Sequence, residues 1–263
     1  MTRPASVRVV LGGAAVDLMD RETFLATVRA QLNGDRAAKP LAVASANLDH
    51  VHHFGAGRQP LAGEGLEWLV LLDGVPLVRR AGALTAHRWP LLAGSDMLPD
   101  VLAVGDETGA TVGFLGGTEQ THRSLRPVLD NRLPGLKVGG WWSPTRHELT
   151  DRDSAAALAD EIALSGIDLL VVGLGKPRQE QWIERHGVAS GARVFLAFGA
   201  AADFLAGTAT RAPAWVRRSG VEFAYRLARE PRRLGRRYCL QGPVALWHLW
   251  TDSRLIVPVN PCT

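Results

Sequence analysis

The stretch IDLLVVGLGKPRQE, residues 167–180, carries the fold in miniature. Ile167 to Val172 is apolar apart from Asp168, a run of the length and composition of a strand buried on both faces. Gly173-Leu174-Gly175 then turns the chain, and Pro177 opens a helix reaching about Arg185, at a position where its missing N–H leaves no bond unmade. The same rhythm recurs on either side. Leu41 to Ser45 reads as a strand before Asn47 and a helix through Val51 and Phe54, and Leu66 to Leu72 as a strand before Asp73-Gly74 and a helix from Val75. A helix from Ser95 to about Val104 follows, then a strand from Thr111 to Leu115, the Gly116-Gly117 turn, and a helix from Thr118 to about Leu129. A strand around Leu136 to Gly139, a helix from Asp153 to Leu164 and a strand from Arg193 to Phe198 complete the series. Such alternation predicts an α/β, Rossmann-like, mostly parallel sheet with helices on both faces. Right-handed crossovers then bring Ser45–His50, Leu72–Pro76, Leu115–Thr118, Gly173–Gln179 and Gly199–Asp203 to one edge, where open α/β sheets bind ligands. After Gly207 the period becomes helical from Arg211 to Trp250, broken at Pro213, Gly220, Pro231, Gly235 and Pro243, with no further strand expected. The chain thus divides into an α/β domain over residues 1–207 and a basic helical C-terminal appendage over 208–263.

Composition limits what such a molecule does. With 263 residues, 46% hydrophobic and 21% charged, the chain buries a sizeable core, which excludes wholesale disorder. The net charge of +4 is unevenly placed: Arg211 to Arg254 holds ten Arg and no Lys against Glu222, Glu230 and Asp252, a surplus of seven that leaves the rest near −3. An all-Arg segment points to an anion, because the guanidinium fork matches phosphate where Lys serves solubility equally well. Small-molecule phosphate, lipid headgroups and nucleic acid are the candidates, beside a merely solvated face. Two cysteines, Cys239 and Cys262, offer neither a disulfide framework nor a zinc site, and the expected compartment is the cytoplasm. No signal peptide or spanning helix is read, so membrane contact would be peripheral.

Several constellations carry chemistry. Gly173, Gly175, Lys176 and Arg178 at a helix start make a diphosphate seat, since glycines admit close backbone approach and the helix N-terminus favours an anion; the same residues read equally as a tight turn. The dinucleotide fingerprint fails, because Lys-Pro-Arg follows the Gly-x-Gly, and a nicotinamide-dependent oxidoreductase is set behind on that ground. Asp73 ends a strand, where partial desolvation would raise its pKa and suit it to act as a general base; the alternative is a helix N-cap. His50, His52 and His53 lack a ligand spacing that would hold a metal, and Asp151-Arg152-Asp153 reads as a helix cap rather than a metal motif. Arg226, Arg229, Arg233 and Arg237 form a basic stripe at helical spacing, beside Trp215, Tyr225, Trp247 and Trp250. Arg beside Trp suits an anionic lipid interface, and also a helix docked on the body with its arginines solvated. Interleaved Arg and aromatics would also fit a nucleic-acid-binding module, but Leu246-Trp247-His248-Leu249-Trp250 prefers lipid or core, so no nucleic acid is expected.

In order along the chain, Ala46-Asn47, Asp73-Gly74-Val75-Pro76, Gly94-Ser95-Asp96, Phe114-Leu115-Gly116-Gly117, Val172 to Glu180, Phe198-Gly199-Ala200 with Asp203 to Gly207, and Arg211-Ala212-Pro213 with Tyr225-Arg226-Leu227 and Glu230-Pro231 resemble the blocks of the WecG/TagA/CpsF glycosyltransferases, glycosyltransferase family 26. The resemblance runs from about Val7 to Trp250. It implies inverting, metal-independent transfer of a sugar from a UDP-sugar to a polyprenyl-diphosphate-linked saccharide in cell-envelope or exopolysaccharide assembly. The sugar would be N-acetylmannosamine, its uronic acid, or a hexose such as glucose. By position Asp73 would be the base, Ser45 and Asn47 would line the site, and Gln179 would contact substrate. Gly116 and Gly117, with Gly173 to Gln179, would frame the nucleotide sugar. Arg211 and Arg226 would neutralise the diphosphate, the tail completing the pocket on an anionic membrane surface at the inner face of the cell membrane, with self-association left open. Two positions depart from the family pattern: Leu91 stands where Arg is usual, with Arg88 nearby, and Asn47-Leu48-Asp49-His50 replaces Asn-Pro-Glu-His. Both bear on which donor or acceptor is used.

Overall fold

The structure, a computed structural model, describes residues 7–209, 235 and 240–256. It opens with a hairpin, β1 (Val7–Leu11) and β2 (Ala14–Leu18), whose two-residue turn Gly12-Gly13 has φ of 59° and 85°. Positive φ at both central residues gives a turn twist that matches the strands. Asp17 of β2, 1% exposed, accepts from Arg8 Nε at 2.9 Å and from the Val70 N–H at 2.9 Å, tying the hairpin to its neighbour in the sheet.

The chain continues through α1 (Arg21–Asn33), β3 (Leu41–Ala46), α2 (Leu48–Phe54), β4 (Glu67–Leu72), α3 (Val75–Thr85), α4 (Gly94–Thr108), β5 (Thr111–Gly116) and α5 (Glu119–Arg132). Then come β6 (Lys137–Trp142), α6 (Arg146–Thr150), α7 (Arg152–Leu164), β7 (Leu169–Gly173), α8 (Arg178–His186), β8 (Val194–Ala197) and α9 (Ala201–Leu205). After residues 210–234 and 236–239, which lie outside the described set, α10 (Gly242–Thr251) and β9 (Arg254–Leu255) follow. Nine strands form one sheet in the order β6-β5-β7-β8-β3-β4-β2-β1-β9. Pairing is parallel from β6 to β2, while β1 is antiparallel to both its neighbours.

Strand alternation sends side chains to two layers, and the β3 sequence shows why the run is apolar throughout. Leu41 and Val43 pack under α1, α4 and α5 with Phe24, Leu98 and Leu125, while Ala42 and Ala44 face α7 and α8 with Ile162 and Ile183. A third cluster seals β1, β2 and β4 under α2, α3 and α10 through Val51, Leu77 and Leu249. Fully enclosing a side chain such as Leu249 contributes roughly 1.5–3 kcal/mol to the docking of a ten-residue helix that also bonds through the Trp250 carbonyl to Arg80.

The tail is helical at α10 as the period requires, but a strand follows it, contrary to the expectation of none. Val9 and Val10 of β1 pair with Leu255 and Arg254, and the Gly13 N–H reaches the Asp252 carbonyl at 2.9 Å. An edge strand of two residues leaves no period to read, and the open edge of β1 supplies its hydrogen bonds.

Candidate active site

The strand order places the site. From β5 the chain crosses outward to β6, and from β7 it crosses the opposite way to β8, so the loops after β5 and β7 diverge and leave a crevice at the carboxyl edge. Gly116 ends β5 at φ 97°, and a Cβ there would stand 2.6 Å from the carbonyl carbon and oxygen of Gly173, which ends β7. Two backbone turns therefore touch where any side chain would hold them apart. Gly117 and Gly175 continue the two turns, each at φ 76°.

One wall is held by α5. Thr118 caps it, accepting from the Thr121 N–H at 3.1 Å, and Thr121 Oγ1 donates to Asp203 Oδ1 of α9 at 2.7 Å. His122 binds the Gly116 carbonyl through Nε2 at 2.8 Å and meets Ser143 Oγ through Nδ1 at 3.2 Å. Burial lowers the imidazole pKa below its ordinary value, against the opposing bond to the Gly116 carbonyl. The ring is accordingly neutral; a carbonyl only accepts, so Nε2 carries the proton and Nδ1 takes the Ser143 hydroxyl. Sequence reasoning missed His122, Thr121, Ser143 and Asp203 as partners, since they are drawn together from three separate βα units.

The other wall is β3 and β4. Asn47 caps α2, accepting from the His50 N–H at 3.2 Å, while its Nδ2 reaches Asp73 Oδ2 at 3.4 Å. Asp73 is half-buried, its N–H bonded to the Ala46 carbonyl at 2.9 Å. The N-cap position of α3 belongs to Gly74, so the Asp73 carboxylate stands one residue outside the cap, at the rim. His50 is 1% exposed, with Nδ1 lacking a protein partner, and its pKa falls well below the ordinary value through burial, with Lys176 and His53 adding to the effect.

The turn after β7 joins the walls. Lys176, read above as a phosphate ligand, points inward: Nζ donates to the Ser45 carbonyl at 2.8 Å and to Glu180 Oε1 at 3.1 Å. Gln179 is 1% exposed and spends its amide inside the protein, Nε2 on the Ala197 carbonyl at 2.7 Å and Oε1 on the Gly175 N–H at 3.1 Å. Arg178 is the exposed cation of this turn, its Nε on the Leu174 carbonyl. The structure thus brings Ser45, Asn47, Asp73, Gly116, Gly117, Gly173, Gly175, Lys176, Arg178 and Gln179 to one edge. Arg211 and Arg226 lie outside the described residues. Asp151 caps α7, accepting from the Ser154 N–H at 2.9 Å, as its position suggested. Among the described residues no three His, Cys, Asp or Glu side chains converge on a point that could hold a metal ion, and no helix is long and apolar enough to cross a membrane.

The model of the Glycosyl transferase WecG/TagA/CpsF family matches residues 9–256, taking in every loop of this rim. The chain belongs to that family. Similar proteins include the N-acetylglucosaminyldiphosphoundecaprenol N-acetyl-beta-D-mannosaminyltransferase of Bacillus subtilis (strain 168), 25% identical over 164 residues, which are 62% of each chain. The protein of the same name from Staphylococcus aureus (strain MRSA252) is 26% identical over 170 residues, 64% of this chain and 63% of that one. The chain therefore spans a little under two thirds of the length of the curated relatives it matches. In this WecG/TagA/CpsF member the rim divides by chemistry. One wall carries a carboxylate aligned by an amide, able to accept a proton; the other presents glycine backbone and a helix start, able to receive an anion.

Proposed function

We propose that this chain is an inverting glycosyltransferase that moves N-acetylmannosamine from its UDP derivative to a polyprenyl-diphosphate-linked N-acetylglucosamine in cell-envelope polysaccharide assembly. The observation that carries the reading is the Asn47–Asp73 pair, 3.4 Å apart, on the rim it shares with the touching glycine turns of β5 and β7, in a chain of this family. The names of the relatives support the choice of sugar and acceptor.

In the proposed step, the acceptor hydroxyl attacks the sugar's anomeric carbon as Asp73 takes its proton. The bond to the UDP oxygen breaks, and UDP leaves with the electron pair. Negative charge grows on the diphosphate as that bond opens, so donors fixed beforehand around it lower the barrier. Backbone N–H groups of the Gly116-Gly117 turn, the exposed Arg178, and Arg211 and Arg226 of the tail fill that role without a divalent ion. The exposed Val244, Trp247 and Trp250 of α10, with Arg254 after it, support peripheral docking on an anionic membrane, at the inner face where a UDP-sugar is available.

The test is a panel of UDP-sugars, including N-acetylmannosamine, its uronic acid and glucose, with a short-chain polyprenyl-diphosphate N-acetylglucosamine acceptor and products identified by mass. Transfer of N-acetylmannosamine, undiminished in EDTA, is expected. No product from any donor, or a product formed only when divalent ions are restored, overturns the reading.

A further inference from the structure

Beneath the rim lies an ion pair that the proposed chemistry does not use directly. Lys176 leaves the β7 turn, passes the end of β8, and divides its ammonium between the Ser45 carbonyl of β3 and Glu180. Both side chains are enclosed, 8% and 0% exposed, and Gln179 joins Glu180 Oε1 to the Ala197 carbonyl that ends β8. Closing a turn needs only apolar contact, and a buried pair gains little stability over such packing once desolvation is counted. A lysine serving a phosphate would present its ammonium to the crevice; this one is anchored two residues before Asn47 and one before the Ala46 carbonyl that holds the Asp73 N–H.

We propose that Lys176 is a positioning residue whose strap to the Ser45 carbonyl sets the end of β3, and through Ala46 and Asn47 the aim of the Asp73 carboxylate. The donor diphosphate is gripped elsewhere. The kinetic consequences rest on the transferase reading; the geometric ones do not.

The experiment compares the full chain with Lys176→Met and with Lys176→Met/Glu180→Gln, which removes both charges together. Thermal melting of the double variant is expected to return to near the parent value, since no unpaired charge stays buried. Both variants are expected to lose tenfold or more in kcat, with donor KM and UDP Kd within about threefold of the parent. Amide exchange at Asn47–Val51 and at Asp73 should quicken by roughly tenfold or more, with Gly116–Thr118 unchanged. A tenfold weaker UDP Kd would make Lys176 a phosphate ligand and overturn the proposal. Recovery of turnover together with melting in the double variant would reduce the pair to a structural tie and do the same. If the parent transfers no sugar, the transferase reading fails by itself, and exchange at Asp73 alone decides the strap: unaltered protection there refutes it.

Discussion

Replacing Gly116 by Ala tests whether contact between the β5 and β7 turns builds the crevice. Two penalties add at this position. At φ 97° a side chain is strained, at about 1–2 kcal/mol for leaving the right-handed region. The new Cβ also meets the Gly173 carbonyl carbon and oxygen at 2.6 Å, and because those atoms are backbone the strands must part, adding roughly 1–3 kcal/mol of overpacking. Gly166 separates the terms, since it has φ 64° and nothing within 4 Å of its would-be Cβ. Gly166→Ala should lose about 1–2 kcal/mol and Gly116→Ala about 2–5 kcal/mol. At about 2–4 °C per kcal/mol for a chain of this size, the Gly116 variant should melt several degrees below the Gly166 variant. Calorimetry reads the difference, and under the proposed function titration with UDP reads its consequence: Gly166→Ala should bind as the parent does and Gly116→Ala at least tenfold more weakly. Equal melting temperatures, or parent-like UDP binding by Gly116→Ala, would refute the contact argument.

Asp73→Asn should preserve the fold and UDP binding while lowering kcat by roughly 10²–10⁴, as expected for loss of a general base; near-normal turnover would remove Asp73 from the role. Arg211→Ala and Arg226→Ala should each weaken donor binding and leave circular dichroism unchanged, and unaltered donor kinetics in both would place the diphosphate elsewhere. Stability should fall on acidification, because His50 and His122 have folded-state pKa values below those of the unfolded chain. The unfolded chain then takes up protons first as pH drops through about 6.5, so stability is full above that pH and is lost below it, at up to about 1.4 kcal/mol per pH unit for each histidine. Urea unfolding at pH 7.5 and 5.5 measures this, and a His50→Leu variant should show a shallower slope; an identical slope would mean that His50 is not held neutral.

The βα units built on β3, β4, β5, β7 and β8 were legible because those strands are mostly buried and each following turn carries Gly, Asn or Asp, so periodicity and punctuation agreed. Boundaries moved where local chemistry was weaker: β6 runs on to Trp142, past Gly139-Gly140, because Trp141 stacks on Phe114 and Trp142 Nε1 donates to Glu161 at 2.8 Å, contacts that no local pattern reveals. The opening hairpin went unread although Gly12-Gly13 between two apolar runs is a hairpin signal. Among the candidate site residues, Asp73 and the glycines were visible because strand ends and turns mark themselves. The direction in which Lys176 and Gln179 point was not, since a cation and an amide after Gly-x-Gly read as ligands until the Ser45 and Ala197 carbonyls are brought beside them by parallel pairing of distant strands.

This difference in visibility follows from how the rim is divided. Residues that would meet substrate sit at loop tips, where backbone freedom and a single functional group suffice, and both are local properties. Residues that hold those tips must reach across strands adjacent in space but far apart in sequence: His122 to Ser143, Thr121 to Asp203, Lys176 to Ser45. The carboxylate wall is fastened through β3 and the glycine wall through α5 and α9, and Lys176 of the β7 turn ties the one to the other. Away from Lys176, damage to one wall should leave the other measurable, so that under the proposed function loss of proton transfer and loss of diphosphate binding separate by mutation.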